Sequence, residues 1–297
     1  MLKHKDHFHG SDLEKIEEIY HIKKEEIISF SANVNPLGIS SRLRSSLSEH
    51  LDAITTYPDR EYRELRQCIA DYAGSQPENI IVGNGSTELI SLFIQTYRPK
   101  KALILGPTYS EYEREITLEG GSTLYYPLRE EQDFLVTEEI LQAITPEMDL
   151  LILCNPNNPT GQVVERPLLL KILKRCKEAD VTLLLDECFV DFMDLPDQAT
   201  MTRFLNEYPN LLIVKAFTKI FCMPGLRLGY ALCSDPGLLE EMDRFLQPWN
   251  VSVPAQIAGV AAMKNHKKYL EETRMVINDE LESLRRRMEE LGDRLIG

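Results

Sequence analysis

The sequence predicts an α/β protein built on a seven-stranded, mostly parallel sheet with helices on both faces. Three observations predict it. Short apolar runs rich in Leu, Ile and Val recur between residues 80 and 232, and runs with no alternating polar face mark strands buried on both sides. Amphipathic stretches of helical period separate them, and strand–helix alternation specifies parallel neighbours joined by crossovers. The last two runs, 211–214 and 228–232, lie too close together for a crossover helix, so the final strand is antiparallel.

Taken in order, residues 1–11 are polar and irregular until Asp12 caps a helix over 13–22. His9-Gly10-Ser11-Asp12 has no clustered partners that would make it a metal site. Phe30-Ser31-Ala32-Asn33-Val34-Asn35-Pro36-Leu37-Gly38 is a loop ending in a Pro/Gly turn, and it reads equally as a polar turn or a substrate contact. Tyr57-Pro58-Asp59 precedes a helix over 61–72. Strands are expected at 80–82, 102–105, 123–127, 150–154, 181–185 and 211–214. Helices are expected between them at 86–97, 111–118, 137–144, 167–179 and 201–208. Two more, 235–246 and 255–264, lead to a long charged helix over 267–295, with Leu270, Met275, Ile277, Leu281, Leu284, Met288 and Leu291 as its apolar members.

The chain has 297 residues, 43% of them apolar, enough for one large core or two domains sharing an interface. With 33 basic and 47 acidic residues its net charge is −14, which argues against nucleic acid or an anionic membrane as partner. A small anionic substrate stays open, because a local cluster can oppose the global field. The six cysteines lack metal-ligand spacing and are expected to be reduced thiols of a cytoplasmic protein. The N-terminus has no signal-peptide core, and no apolar run approaches about 18 residues.

In a parallel sheet the carboxyl ends of the strands face one way, so polar residues just after each strand converge. Gly83-Asn84-Gly85-Ser86-Thr87-Glu88 opens a helix and offers N–H groups and hydroxyls to an anion, though an ordinary capped turn has the same pattern. It lacks the ending of a Walker loop. Tyr109, after Gly106-Pro107-Thr108, is placed to stack on a planar ring. Asn155-Pro156-Asn157-Asn158-Pro159-Thr160-Gly161 follows the next strand. Asp186 ends an apolar run, and a buried carboxylate needs a cation, which a protonated pyridine nitrogen supplies. Lys219 follows the strand 211–214, where desolvation lowers an amine's pKa and suits it to bond with a carbonyl. Arg227 opens the last strand. An anion pocket, a stacking aromatic, an amide, a buried carboxylate and a lysine in this order describe a pyridoxal-phosphate site.

Over nearly its whole length the chain resembles the pyridoxal-phosphate enzymes of fold type I, the aspartate-aminotransferase-like fold. It is most similar to the branch holding histidinol-phosphate aminotransferase and threonine-phosphate decarboxylase. The resemblance rests on Asn157-Asn158-Pro159-Thr160-Gly161, Asp186-Glu187, and Thr218-Lys219 followed by Pro224-Gly225-Leu226-Arg227-Leu228-Gly229-Tyr230. It implies that Lys219 holds the cofactor as a Schiff base, Asp186 keeps the ring nitrogen protonated, Asn158 bonds the ring hydroxyl and Tyr109 stacks on the ring. Gly85, Ser86, Thr87, Thr218 and Arg227 would bind the phosphate. Tyr57 would reach the cofactor of a neighbouring subunit, which implies a homodimer. The implied domains are an N-terminal segment, 1–40, a large cofactor-binding domain, 41–250, and helices, 251–297, leading to a small domain whose sheet and carboxylate-gripping arginine would lie beyond Gly297.

Two residues depart from the family pattern: Phe189 stands where a tyrosine is usual, and Ala216 where a phosphate-contacting serine is usual. Phe189, His9-Gly10, the 30–38 loop, Thr218, Met223-Pro224-Gly225 and the block 247–254 are similar to the decarboxylase of cobalamin biosynthesis. The implied reaction is decarboxylation of O-phospho-L-threonine to (R)-1-aminopropan-2-yl phosphate, with His9, Asn33 and Asn158 as substrate-binding candidates. The alternatives are an aminotransferase acting on histidinol phosphate and a truncated relative that binds cofactor without turnover.

Overall fold

Seven strands form one sheet in the computed structural model, which describes residues 12–296. They are β1 (Ile80–Gly83), β2 (Lys101–Gly106), β3 (Ser122–Pro127), β4 (Leu150–Cys154), β5 (Thr182–Asp186), β6 (Leu211–Ala216) and β7 (Gly229–Leu232). Their spatial order is β1-β7-β6-β5-β4-β2-β3. β7 is antiparallel to both its neighbours, and the other pairings are parallel. The expected architecture is therefore present, including its single reversed strand.

Alternation along the strands divides the interior into two layers. On one face Leu103, Leu151, Leu153, Leu183, Leu185, Leu211 and Ile213 pack with residues of the helices Arg63–Ala73, Arg166–Glu178 and Val253–Lys264. On the other, Ile104, Ile152, Leu184, Leu212 and Val214 meet the helices Ser86–Tyr97, Glu111–Leu118 and Pro236–Phe245. Central strands carrying apolar residues on both faces follow directly from this arrangement. The register sets Cys154 beside Asp186, Asp186 beside Val214, and Ala216 beside Gly229. The carboxyl ends of β4, β5 and β6 thus lie in a row.

Several local expectations are corrected. Residues 137–144 give one helical turn, Ile140–Ala143, preceded by three-residue-spaced bonds such as Leu141 N–H to Glu138 O at 3.1 Å. Pro146 prevents extension. Residues 201–208 form a 3₁₀ turn, Thr202–Glu207, because Pro209 disfavours α geometry at Tyr208. Asp12 precedes the helix Leu13–Tyr20 but makes no side-chain cap bond, and that helix stops at His21, which is left-handed at φ +56°. The long helix runs His266–Leu291. A helix the sequence reading passed over, Ser41–Glu49, is capped by Ser40, whose hydroxyl accepts from Leu43 N–H at 3.2 Å.

Candidate active site

The residues singled out after successive strands lie along one sheet edge, and the close approaches between their loops explain why particular side chains stand there. At the end of β1 the chain turns through Gly85 at φ +88° and enters the helix Ser86–Tyr97. A Cβ on Gly85 would fall 2.5 Å from a guanidinium nitrogen of Arg227. A Cβ on Gly229 would fall 2.6 Å from Ser86 N, 2.8 Å from Gly85 C and 3.1 Å from Lys215 O. Glycine at these two positions lets the β1 turn lie directly on the start of β7, so Arg227 sits over the helix N-terminus. Arg227 itself is left-handed, at φ +55°. The helix N-terminal N–H groups, two hydroxyls and a guanidinium there form an anion cradle.

This turn is braced from behind. Glu88 accepts from Asn84 N–H at 2.5 Å and from Asn250 Nδ2 at 2.6 Å, and Tyr62 donates its hydroxyl to Asn250 Oδ1. The block 247–254 therefore holds the cradle rather than lining it. Tyr109, after β2, hydrogen-bonds Thr87 and meets Tyr112 edge-on at 5.5 Å. Three asparagines follow β4, with different roles. Asn155 bonds both backbone groups of Val164, at 2.7 and 3.2 Å. Asn157 accepts from Thr108 Oγ1 and donates to Pro107 O and Thr160 Oγ1. Both fix the loop from within, and Asn158, half-buried on the wall of the large cleft, is the one turned outward.

Asp186 is buried at the tip of β5. Its Oδ2 accepts from the Tyr112 hydroxyl at 2.7 Å, and its Oδ1 accepts from Cys188 N–H at 2.9 Å. A carboxylate has about four acceptor positions, so two bonds leave it able to receive a cationic N–H. Burial and the neighbouring Asp186 push the Cys188 thiol well up, and Ser86 acts in the opposite direction.

Lys219, expected just past the strand 211–214, occupies a single helical turn, Phe217–Ile220, that continues β6. Asn35, itself buried, docks the N-terminal loop against this turn, its N–H reaching Lys219 O at 3.0 Å and its Nδ2 reaching Ile220 O at 2.8 Å. Burial pulls the Lys219 amine below the ordinary lysine value; Cys188 opposes this and Arg227 adds to it. Its Nζ lies 5.9 Å from the centre of the Phe189 ring. Thr218 precedes it, half-buried.

A cleft of about 1500 Å³ adjoins this centre, lined by Asn33, Asn158, Phe189, Phe192, Ile277 and Leu281 among others. Two proposed substrate contacts, Asn33 and Asn158, thus share a wall, and His9 lies outside the described residues. Tyr57 stands apart: it is 79% exposed and packs on Trp249 at 4.8 Å. Sequence reasoning missed Tyr112, Cys188 and Asn250. Tyr112 carries the signature of an ordinary helix core position, and its contact with Asp186 spans 74 positions of chain.

The site fits a phosphorylated pyridine aldehyde. The two glycines keep open a cradle that a Cβ would fill, Asp186 retains acceptor capacity, and Lys219 is an amine whose charge is suppressed by burial.

Comparison with known proteins agrees with this chemistry. Residues 25–297 match the model of the family described as aminotransferase class I and II. Threonine-phosphate decarboxylase of Salmonella typhimurium is 37% identical over 257 residues, 86% of this chain and 70% of that protein. Histidinol-phosphate aminotransferase of Moorella thermoacetica is 32% identical over 295 residues, 98% of this chain and 75% of that one. Among solved structures, histidinol-phosphate aminotransferase from Clostridium acetobutylicum superposes with a TM-score of 0.76 at 31% identity, over 82% of this chain and 72% of that chain.

Proposed function

Because this chain belongs to the aminotransferase class I and II family and is a pyridoxal-phosphate-dependent lyase or aminotransferase, we propose that it decarboxylates O-phospho-L-threonine to (R)-1-aminopropan-2-yl phosphate, a step of cobalamin biosynthesis. The observation that carries this reading is the 37% identity to a threonine-phosphate decarboxylase. Phe189 beneath the Lys219 amine supports it, since this chain there presents an apolar ring face rather than a hydroxyl.

The cofactor, when bound, supplies an electron sink for the pair left at the substrate Cα. Gly85, Ser86, Thr87, Thr218 and Arg227 would hold its phosphate. Asp186 would hold a proton on the ring nitrogen, with Tyr112 and the Cys188 N–H keeping that carboxylate aimed. Asn158 would bond the ring hydroxyl and Tyr109 would cover the ring. Lys219, its charge suppressed by burial, would be available as a neutral amine at lower pH than a solvated lysine. Having taken up the proton that the substrate ammonium gives up, it would return that proton to the Cα that the carboxylate vacates as carbon dioxide. Asn33, Asn158 and His9 orient the substrate, and Tyr57, exposed beside Trp249, reaches the site of a second copy in a homodimer.

Incubation with phosphothreonine and pyridoxal phosphate tests the assignment: carbon dioxide release in step with aminopropanol phosphate is the expected result. Absence of release, with amino transfer from histidinol phosphate to 2-oxoglutarate, moves the assignment to the aminotransferase. That second reading draws on the relative that matches 98% of the chain. Failure of both reactions in a chain that binds cofactor indicates a catalytically silent relative.

A further inference from the structure

Behind the turn that carries the site lies a buried ion triad. Lys215 in β6, Glu187 and Asp191 are 5%, 1% and 8% exposed. Lys215 Nζ stands 3.6 Å from Glu187 Oε2 and 3.7 Å from Asp191 Oδ1. Because side chains alternate along a strand, Lys215 faces the layer opposite to Val214 and its partner Asp186. The two carboxylates bracket Cys188, which meets Asp186 and Ser86, and Phe189, whose ring lies under the Lys219 amine. One ammonium therefore pins both ends of a stretch whose middle forms the floor of the site.

The triad is tied to the surrounding elements. Glu187 accepts from Thr200 Oγ1 at 2.6 Å and from Met201 N–H at 2.8 Å. Asp191 Oδ1 accepts from the Tyr72 hydroxyl at 2.8 Å, and Arg274, on the long helix, donates to the Asp191 carbonyl at 3.1 and 3.3 Å. Burial works against the Lys215 ammonium, but Asp191, Tyr230 and Glu187 outweigh it and hold the lysine above its ordinary value. Burial pushes the Glu187 carboxyl up. A cation this enclosed is costly for the fold to keep unless it shapes something.

We propose that Lys215 is a positioning residue: by holding Glu187 and Asp191 from the far layer of the sheet, it sets where Cys188 and Phe189 stand against Lys219. This rests on Lys219 being the reactive amine. The Phe189 ring of this turn lies 5.9 Å from the amine. Burial is the largest influence on it, and Arg227 before β7 is the charge acting in the same direction, while Cys188 of the turn is held as a neutral thiol by burial.

The test reads the amine without cofactor. The chain is acetylated with acetic anhydride over a pH series, and modification of Lys219 is followed by peptide mass spectrometry. In Lys215→Met the turn relaxes, water reaches the amine, and its midpoint rises toward the ordinary lysine value by about half a unit, roughly a threefold change in the protonation constant. Lys215→Arg spans both carboxylates and restores the parent midpoint. Should Lys215→Met not fold, its combination with Glu187→Gln and Asp191→Asn removes the stranded charges and is expected to show the same rise. An unchanged midpoint in either folded variant overturns the proposal, as does failure of Lys215→Arg to restore it. Borohydride fixation of pyridoxal phosphate to the parent chain is scored separately, and a negative result there counts against Lys219 as the reactive amine while leaving the acetylation midpoints to decide the positioning role.

Discussion

Lys219 and Asp186 divide the chemistry between them, and each makes its own expectation. Burial lowers the pKa of the Lys219 amine, and the neutral form is the nucleophile. Its reactive fraction therefore grows as pH rises through a midpoint below the ordinary lysine value of about 10.4. Acetylation of the parent chain is expected to give Lys219 a midpoint below that ordinary value; a midpoint at or above it would contradict the desolvation argument. Asp186→Asn keeps the shape and the Tyr112 contact but removes the charge that holds a proton on the ring. Cofactor retention with kcat reduced roughly 10²–10³-fold is the expected outcome, and parental turnover would count heavily against the role. These residues were legible because each stands at or just past the end of a strand, and topology alone gathers strand ends. Tyr112 and Cys188 were not. A tyrosine on an amphipathic helix and a cysteine after a buried strand look like core, and only the packed sheet brings them to Asp186.

The elements that matter most are those whose backbones touch. At Gly229 an added Cβ meets backbone of Ser86 and Gly85, and neither side can yield without moving the cradle. Gly229→Ala is expected to cost about 1–3 kcal/mol in urea unfolding and to weaken cofactor retention. Gly225→Ala, with nothing within 4 Å of the new Cβ, provides the control and should change neither. Equal behaviour of the two would show that the close approach does not shape the site. Removing the Lys215 cation leaves two carboxylates buried together, and Lys215→Met is expected to cost about 3–5 kcal/mol. Long elements could be read from periodicity. The short ones could not, because Pro146 and Pro209 convert apparent helices into one or two turns whose four or six residues carry too little pattern to separate from a loop.

At the scale of the molecule, one sheet separates two apolar layers and presents a polar edge where its parallel strands end. Both layers must form for that edge to exist, so damage in either should reach the site. Phe93 is fully buried in one layer and stacks on Tyr97 at 5.3 Å. Phe93→Ala is expected to lower stability by about 3–5 kcal/mol, visible as an earlier urea midpoint; a midpoint unchanged from the parent would mean that this layer is not part of the cooperative fold. The number of strands and the reversed one were readable from run lengths and the short 211–232 link, whereas their spatial order was not, because an apolar run does not specify which neighbour it pairs with. The 1500 Å³ cleft was not, because its walls come from the 30–38 loop, the Asn158 loop and the long helix, segments that share no local pattern.

Borohydride reduction of the chain mixed with pyridoxal phosphate, followed by peptide mapping, addresses the arrangement as a whole. A pyridoxyl group fixed on Lys219, and lost in Lys219→Ala, is the result expected of an amine set among these strand ends. Label fixed instead on Lys215 or on a surface lysine, or no label on a folded chain, would contradict it.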